Sequence, residues 1–551
     1  MEQYDVIIIG GGINGLTLGA YLVKAGAKVL ICERRWETGG AVMTDEQSGC
    51  RLNTHATYMM MMDVMPAYKD LELEEYGCTY LTPQPAMAFL TREGKALCLY
   101  GDPEKSGQSI ARFSQQDKET FIRVYNEFKA LTDEILVPQT YRPALPALEV
   151  VHLLGSKPLG QKLLDLSEKT PREIIEGCGF KSELLKAALL YMTTMWGIDP
   201  EVSGVGYLVP LYIVRMLNSA LIRGGSHRLS SAIYKGFIGH KGEVEDTAEV
   251  AEIIIEGKQA VGIRTAAGAE YRGKCIVSTV DPEQTFLRFI GESQLNGLVP
   301  GLVESVKGWE WETVSHYLLH LVLKEEPIYK AGEDDPEADR ALIQVMGVET
   351  VDDLIKGFHL LKQGDLASFG HTTIATKFDS SQTSSVRLKK STLPIEWLGP
   401  LFMHVLRFET LAPYEAKDGK WDTLKETYAE EVLDMLKAYA PNLAGANFIR
   451  QYAYPPTYIE DKFSSMKKGS IKHGEYSSMQ MGYFRPNDLC SRYRTPVKNL
   501  YVCGASTYPG GMVLLGAPYI TAGIIAEDIG LQPWWELPDY IQQAIGKGFA
   551  L

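Results

Sequence analysis

The residues near the start of the chain that are best suited to chemistry are Gly10, Gly12 and Gly15, followed by the acid Glu33. Gly10 permits a tight turn, Gly12 lets the backbone approach a diphosphate because it has no Cβ, and Gly15 lets a helix pack closely on a strand. Glu33 can accept hydrogen bonds from ribose hydroxyls. This spacing predicts a dinucleotide site, with an ordinary glycine-rich turn as the alternative.

A strand, a helix and a second strand must hold these residues in place, and the sequence provides all three. Residues 6–9 are continuously apolar, as in a parallel strand that is buried on both faces. A helical stretch follows, and the apolar run 28–32 ends at Glu33. Free N–H groups at the start of the helix can bind phosphate. We therefore predict a βαβ unit, and Glu33 argues against a cofactor with a 2′-phosphate.

A second turn from strand to helix lies at the end of the chain. Residues 499–503 are typical of a strand, Gly504, Gly510 and Gly511 follow, and residues 520–529 form an apolar stretch with small side chains. If this strand joins the same sheet, its turn brings further backbone donors to the cofactor.

Four segments together resemble the phytoene desaturase family of FAD-dependent oxidoreductases, in the branch of the animal pyridine nucleotide-disulphide oxidoreductase domain-containing protein. They are the N-terminal motif with its second glycine pair at 39–40, the block 224–282, the GxIxHG…Q…RP stretch at 469–486, and the motif at 500–511. The resemblance spans nearly the whole chain. It weakens at 51–56 and 512–516, which lie near the expected substrate side of the flavin, so the substrate stays open.

The resemblance implies FAD as the cofactor and suggests which residues hold it. Those expected at the adenosine and diphosphate are Gly10, Gly12, Gly15, Glu33, Arg35, Gly39, Gly40 and Ala41. Val250 would meet the adenine through its backbone, and Gly504, Gly510, Gly511 and Met512 would line the flavin.

The fold class implied by the resemblance is α/β, with a Rossmann-like FAD-binding domain of the monoamine oxidase and phytoene desaturase type. This domain is interleaved with a mixed α+β substrate domain. We expect the discontinuous FAD-binding domain at 1–85, 220–290 and 456–551, and the substrate domain at 86–219 and 291–455. Residues 86–215 are expected to be mainly helical.

The expected reaction is dehydrogenation, that is desaturation, of C–C bonds in a hydrophobic substrate by hydride transfer to flavin N5. A proton leaves the neighbouring carbon, and the candidate bases are His55, Tyr58 and His473. A purely structural role stays open for both histidines. Three other functions also stay open: a redox-neutral flavin isomerase or saturase, an amine oxidase, and a non-catalytic FAD-bound interaction protein.

Composition excludes some partners and leaves others undecided. A net charge of −14 makes nucleic acid an unsuitable partner. The eight cysteines are scattered without a CxxC pair, and the histidines lack ligand spacing, so we predict no metal and a reducing, cytoplasmic location. Trp534 and Trp535 could dock at a membrane surface, cap the fold or form a homodimer contact. The electron acceptor is not indicated.

Overall fold

The protein is described from a computed structural model that covers residues 3–47, 49–383 and 403–551. Residues 384–402 of the predicted substrate domain lie outside the described ranges. In chain order, the strands are β1 (Gln3–Ile9), β2 (Val29–Cys32), β3 (Asp45–Gln47), β4 (Cys50–Leu52), β5 (Tyr58–Met59), β6 (Tyr80–Leu81), β7 (Met87–Leu90), β8 (Ala96–Leu99), β9 (Ala220–Ile222), β10 (Glu243–Glu245), β11 (Val250–Glu256), β12 (Gln259–Thr265), β13 (Glu270–Ser278), β14 (Val314–Leu323), β15 (Ile343–Met346), β16 (Gly370–Thr373), β17 (His404–Pro413), β18 (Phe448–Tyr454) and β19 (Leu500–Val502).

The α-helices cover most of the sequence between these strands. They are α1 (Ile13–Lys24), α2 (Pro66–Asp70), α3 (Pro103–Ala111), α4 (Gln115–Leu131), α5 (Val137–Thr140), α6 (Ala147–Gly155), α7 (Pro158–Ser167), α8 (Pro171–Gly177), α9 (Glu183–Thr194), α10 (Leu208–Met216), α11 (His227–Gly239), α12 (Glu292–Leu298), α13 (Leu302–Lys307), α14 (Glu337–Arg340), α15 (Val351–Lys362), α16 (Ala375–Phe378), α17 (Trp421–Tyr439), α18 (Pro456–Lys462), α19 (Gly516–Ile529) and α20 (Asp539–Gly546). No helix in the described ranges is long and apolar enough to cross a membrane.

The first sheet is built around β1, whose interior residues are fully buried because the strand lies between two neighbours. β1 pairs in parallel with β2 on one side and with β13 on the other. β10 extends the sheet beyond β2, and β19 pairs in parallel with β13. Five strands therefore run in the same direction, and their carboxyl ends meet at one edge. The antiparallel hairpin β11–β12 also bonds to β13.

Helices cover the first sheet as the sequence predicts. α1 follows β1 directly and is buried along most of its length because it packs against α11 and α19. α19 is the predicted apolar helix near the end of the chain, and its small residues allow close packing. The α/β fold class with a Rossmann-like unit is therefore confirmed.

The second sheet has the order β18-β14-β17-β16-β15-β7-β8. Its pairs are antiparallel, except that β7 and β15 run in parallel. The expectation that 86–215 is mainly helical is wrong at its start, where β7 and β8 form a hairpin. Each strand of this hairpin has only four residues, and periodicity cannot distinguish so short an apolar run from part of a helix.

The two sheets draw on different parts of the sequence. Strands of the first come from 3–32, 243–278 and 500–502, and those of the second from 87–99 and 314–454. The predicted division into an FAD-binding and a substrate domain would place each sheet in one domain. The boundaries themselves stay a prediction.

Two helical glycines allow a matched test of close packing. A Cβ at Gly15 in α1 would overlap the carbonyl oxygen of Gly10, whereas a Cβ at Gly523 in α19 would meet nothing within 4 Å. We expect Gly15→Ala to lower the free energy of unfolding by about 1–3 kcal/mol, because the helix must move away from the turn. Gly523→Ala should raise it by about 0.5–1 kcal/mol. Urea denaturation of both cofactor-free variants measures the difference, and equal stabilities would contradict the expected packing.

Candidate active site

A cleft runs from the glycine turn after β1 to a group of side chains on the second sheet. It contains about 1660 Å³ of space that protein atoms do not fill. Gly10 and Gly12 line one end, and Tyr58, Trp196 and Glu409 line the other. The cleft therefore joins a backbone turn of the first sheet to side chains held by the second.

The glycine end of the cleft is open to a ligand. Gly12 is the N-cap of α1, with φ −66° and ψ 175°, and no side chain caps the helix. The first turn contains no acidic residue, so the N–H groups and the partial positive charge remain available to an anion. A Cβ on Gly12 would meet only the Cα of Gly40, at 4.0 Å. This end therefore has both the space and the donors that a diphosphate needs.

Glu33 is held firmly at the end of β2. Its Oε2 accepts a hydrogen bond from the Gly11 N–H, and its Oε1 accepts one from the Arg35 N–H, both at 2.8 Å. The residue is 9 % exposed. Because a carboxylate offers about four acceptor positions, two remain for the hydroxyls of a ribose.

The predicted cofactor residues fall into two groups. Those that line the cleft are Gly10, Gly12, Glu33, Arg35, Gly40, Ala41, Val250, Gly511 and Met512. Gly15, Gly39, Gly504 and Gly510 instead shape the backbone behind it. Gly39, Gly504 and Gly510 have φ near +107°, a region that favours glycine. The role of each residue toward a cofactor stays a prediction.

The buried side chain of Arg485 holds the two C-terminal motifs together. Its guanidinium donates to the carbonyl oxygens of Ala505, at 2.9 and 3.1 Å, and of Lys472, at 2.7 Å. It also donates to the carbonyl oxygens of His473 and Gln480. The Arg and Gln of the GxIxHG…Q…RP stretch thus place His473 beside the turn that follows β19.

The turn after the C-terminal glycines is strained. Met512, Val513 and Leu515 have φ of 68°, 57° and 55°, where glycine is favoured and a β-branched residue is rare. Each such residue costs about 1–3 kcal/mol, which the surrounding structure must offset. Met512 and Val513 line the cleft, so the strain lies where the sequence departs from the family pattern.

All three candidate bases line the cleft. His55 contacts Phe463 edge to face, and neither ring nitrogen has a hydrogen-bond partner within the described part of the chain. Burial lowers the pKa of His55 well below its usual value, and lowers the pKa of His473 to about 4. The Tyr58 Oη lies 2.9 Å from His371 Nε2, and burial raises the pKa of Tyr58 well above its usual value.

A buried charge cluster, which sequence reasoning missed, lies on the second sheet. Glu409 Oε1 lies 3.2 Å from His316 Nδ1, and Oε2 lies 3.3 Å from His371 Nε2. Arg407 also pairs with Glu409. Burial opposes ionisation of Glu409, but Arg407 and the two histidines together hold its pKa well below its usual value. These contacts therefore favour the ionised form of Glu409.

No local motif could have revealed this cluster. His316 lies on β14, His371 on β16, and both Arg407 and Glu409 on β17. They come together because β17 pairs with β14 on one side and β16 on the other, with His371 directly opposite Glu409. Within the described ranges, no group of three or more His, Cys, Asp or Glu residues could hold a metal ion.

A second, mainly apolar pocket lies beside the cleft, among α5, α6, α7 and α10, and contains about 1580 Å³ of unfilled space, open solvent included. Tyr476 lines it and accepts a hydrogen bond at 2.9 Å from the N–H of Gly511, which lines the cleft. Leu514 lines this pocket, and its neighbour Val513 lines the cleft. The strained turn is therefore part of the wall between the two spaces.

The paired tryptophans pack on the fold. Trp534 stacks on Tyr21 of α1, with ring centroids 5.6 Å apart, and its Nε1 donates to the Tyr21 carbonyl oxygen. Trp535 meets the same ring edge to face. Lys24 lies 4.0 Å above the Trp534 ring. These contacts agree with a cap on α1, one of the three predicted roles.

Comparison with known proteins agrees with a Rossmann-like unit at the start of the chain. A family model described as an NAD(P)-binding Rossmann-like domain matches residues 8–71. One of the subunits of limonene dehydrogenase from Castellaniella defragrans is 44 % identical over the full length of both chains. Pyridine nucleotide-disulfide oxidoreductase domain-containing protein 2 of Rattus norvegicus is 26 % identical, over 96 % of this chain and 94 % of its own.

More distant relatives share the architecture. The lycopene-forming phytoene desaturase of a Paracoccus species is 22 % identical, over 95 % of this chain and 97 % of its own. An oxidoreductase from Methanosarcina mazei has the same fold, with a TM-score of 0.59 at 14 % identity over 94 % of this chain and 99 % of its own. The chain therefore belongs to the phytoene desaturase-like family of FAD-dependent oxidoreductases, as its motifs predict.

Proposed function

We propose that this protein dehydrogenates a C–C bond of an apolar small molecule. The observation that carries the proposal is the continuity of the cleft, which joins the glycine turn of the first sheet to a partly enclosed space beside the second. A substrate in that space would lie next to whatever the glycine turns hold. The family relationship establishes the FAD cofactor and the oxidoreductase class, and the bond that is oxidised is our inference.

The glycine end of the cleft fits FAD. Gly12 and Gly40 leave room for a diphosphate, and Glu33 keeps acceptor positions for a ribose. We propose that Val250, at the start of β11, meets the adenine and that Gly511 lies at the flavin. When bound, FAD supplies the acceptor for a hydride at N5. The chain's own residues then have to orient the substrate, exclude water and accept a proton.

The far end of the cleft suits an apolar substrate. Side chains that face it include Trp196, Leu318, Ile471, Met512 and Val513. These side chains orient a substrate by shape and exclude water, which strengthens the electrostatic interactions inside the site.

An amine substrate is less well supported by the charges. Glu409 could attract an ammonium group, but Arg407 already pairs with it inside the protein. Lys472 is also engaged, since it pairs with Glu312 and donates to the Trp196 carbonyl oxygen at 2.6 Å. Redox-neutral isomerisation and a non-catalytic role would use the same cleft, and the titration described next separates them from dehydrogenation.

The homodimer, the peripheral membrane contact and the cytoplasmic location stay predictions, and the electron acceptor stays open.

The direct test is anaerobic titration of the FAD-loaded protein with terpene hydrocarbons, carotenoid precursors and amines. We expect one hydrocarbon to bleach the flavin absorbance and to yield a product that is two hydrogen atoms lighter by mass spectrometry. Free FAD with the same compounds is the control. Bleaching by amines alone would favour an amine oxidase. A changed product of unaltered mass without bleaching would favour an isomerase, and no reaction with any compound would contradict the proposal.

A second test fills the proposed diphosphate space without disturbing the fold. Gly12→Val should be tolerated, because φ −66° and ψ 175° suit any residue and a Cβ there meets nothing closer than 4.0 Å. The branched side chain would occupy the space that the diphosphate needs. We expect bound FAD to fall by at least about tenfold, a loss of ~1.4 kcal/mol in binding. Flavin absorbance per protein measures this, and the melting temperature of the cofactor-free protein should not change.

The matched control for this test is Gly523→Ala, which lies in α19 with free space around it and should retain FAD. Full FAD occupancy in Gly12→Val would show that the diphosphate lies elsewhere.

A further inference from the structure

We propose that Tyr58 takes the proton from the substrate and passes its own hydroxyl proton to His371, with Glu409 as the charge that stabilises the result. Tyr58 is the proton acceptor, while His371 and Glu409 are positioning residues that act through it. The proposal rests on the proposed dehydrogenation, and it assigns the proton that this reaction must release.

His371 lies between the hydroxyl groups of two tyrosines. Its Nε2 lies 2.9 Å from the Oη of Tyr58, and its Nδ1 lies 2.9 Å from the Oη of Tyr191. Tyr58 lines the cleft, and Tyr191, on α9, is buried on the other side of the imidazole. If Nδ1–H donates to Tyr191, Nε2 can accept the proton of Tyr58, and the new N–H then lies beside Glu409 Oε2, which is 3.3 Å from Nε2. Proton transfer needs the His371 tautomer with its proton on Nδ1, and a hydrogen bond to Tyr191 can hold that tautomer.

Glu409 stabilises a positive charge on His371 inside the protein. Its Oε2 lies 3.3 Å from His371 Nε2, and Arg407 keeps the carboxylate ionised. Burial lowers the pKa of His371, because a buried imidazolium has lost its hydration, and Glu409 acts against this change. Tyr58 and Glu409 approach the same nitrogen of His371, so the carboxylate lies beside the N–H that forms there and stabilises the imidazolium through its charge.

The atoms and electrons of the step balance. One substrate C–H bond would break with both electrons, and FAD, when bound, would supply the acceptor for this hydride. The neighbouring C–H bond breaks and leaves its electron pair to form the C=C bond, and its proton forms a new O–H bond on Tyr58. The original O–H bond of Tyr58 breaks, and that proton forms an N–H bond at His371 Nε2.

The other two candidates lack a path for the proton. Within the described residues, neither ring nitrogen of His55 has a hydrogen-bond partner, and the nearby cations Lys462 and Arg407 oppose a positive charge on it. Arg407 also opposes a charge on His371, but Glu409 outweighs it there. His473 lies beside Arg485, which opposes a charge there as well. Tyr58 remains neutral after the transfer, because it gains one proton as it loses another.

The test uses Tyr58→Phe, His371→Gln and the double variant in the FAD-loaded protein. The readout is the anaerobic rate of flavin bleaching by the hydrocarbon that reacts with the wild type. General base catalysis contributes about 10²–10⁴-fold, so each single variant should lose about that factor at saturating substrate. The double variant should lose no more than the worse single one, since residues that act as a unit are not additive.

A structural control distinguishes a rate lost with the catalytic base from a rate lost through disturbed packing. Tyr428→Phe in α17 removes an equally buried hydroxyl, which donates to the Ala367 carbonyl oxygen at 2.8 Å, and it should leave the rate unchanged. FAD content and melting temperature are measured for every variant.

A second readout uses the wild type alone. Deuteration of the carbon that loses its proton, and D₂O as solvent, should each slow the same bleaching step.

The outcomes separate this proposal from the function beneath it. If no hydrocarbon bleaches the wild-type flavin, the proposed function fails and this assignment fails with it. If the wild type reacts but Tyr58→Phe retains its rate, only the assignment is overturned. Additive losses in the double variant, or bleaching by the wild type that D₂O does not slow, would likewise overturn it.

Discussion

The active site depends on the parallel pairing of β13 with β1 on one side and β19 on the other. This pairing sets Ile9 opposite Ser278, and Ser278 opposite Val502, so three turns begin at the same level. The Thr279 N–H donates to the Ile9 carbonyl oxygen, and the Cys503 N–H donates to that of Ser278. Because ligands of open α/β sheets bind beyond the carboxyl ends of the strands, this edge determines where the cofactor lies.

A second constraint holds the C-terminal turn against the rest of the cleft. Arg485 is fully buried, and a buried guanidinium is stable only if its donors are satisfied. Backbone carbonyl oxygens satisfy them, among them those of Lys472 and Ala505. The same segment carries the buried ion pair of Lys472 with Glu312. These polar contacts offset the strain at Met512 and Val513, so that an unusual turn can face the cleft.

The second sheet contributes charge where the first contributes backbone. Glu409, Arg407 and His371 are at most 4 % exposed, so interactions among them are little screened by solvent. A buried ion pair of this kind is weak evidence for stability, because desolvation offsets much of the attraction. Its position beside the cleft, within reach of Tyr58, is better explained by chemistry. We therefore propose separate tasks for the two sheets: the first holds the cofactor, and the second accepts the proton.

The sequence by itself determined the first task. Glycines whose backbone must turn tightly or approach a ligand, and an acid at the end of a strand, are local features, so Gly10, Gly12 and Glu33 could be placed from spacing alone. The family and the FAD cofactor followed from motifs of the same local kind. His55, Tyr58 and His473 could be named as candidates, but nothing near them in the chain ranks one above another.

Only the tertiary structure decided the second task. His316, His371 and Glu409 are distant in sequence, and they meet because three strands pair side by side in one sheet. The parallel pairing of β7 with β15 also escapes local prediction, because β15 comes much later in the chain. Local patterns record what a residue requires of its own backbone. Which side chains meet in a buried space depends on the order of the strands in the sheet. That order is determined by the whole chain, not by any one segment.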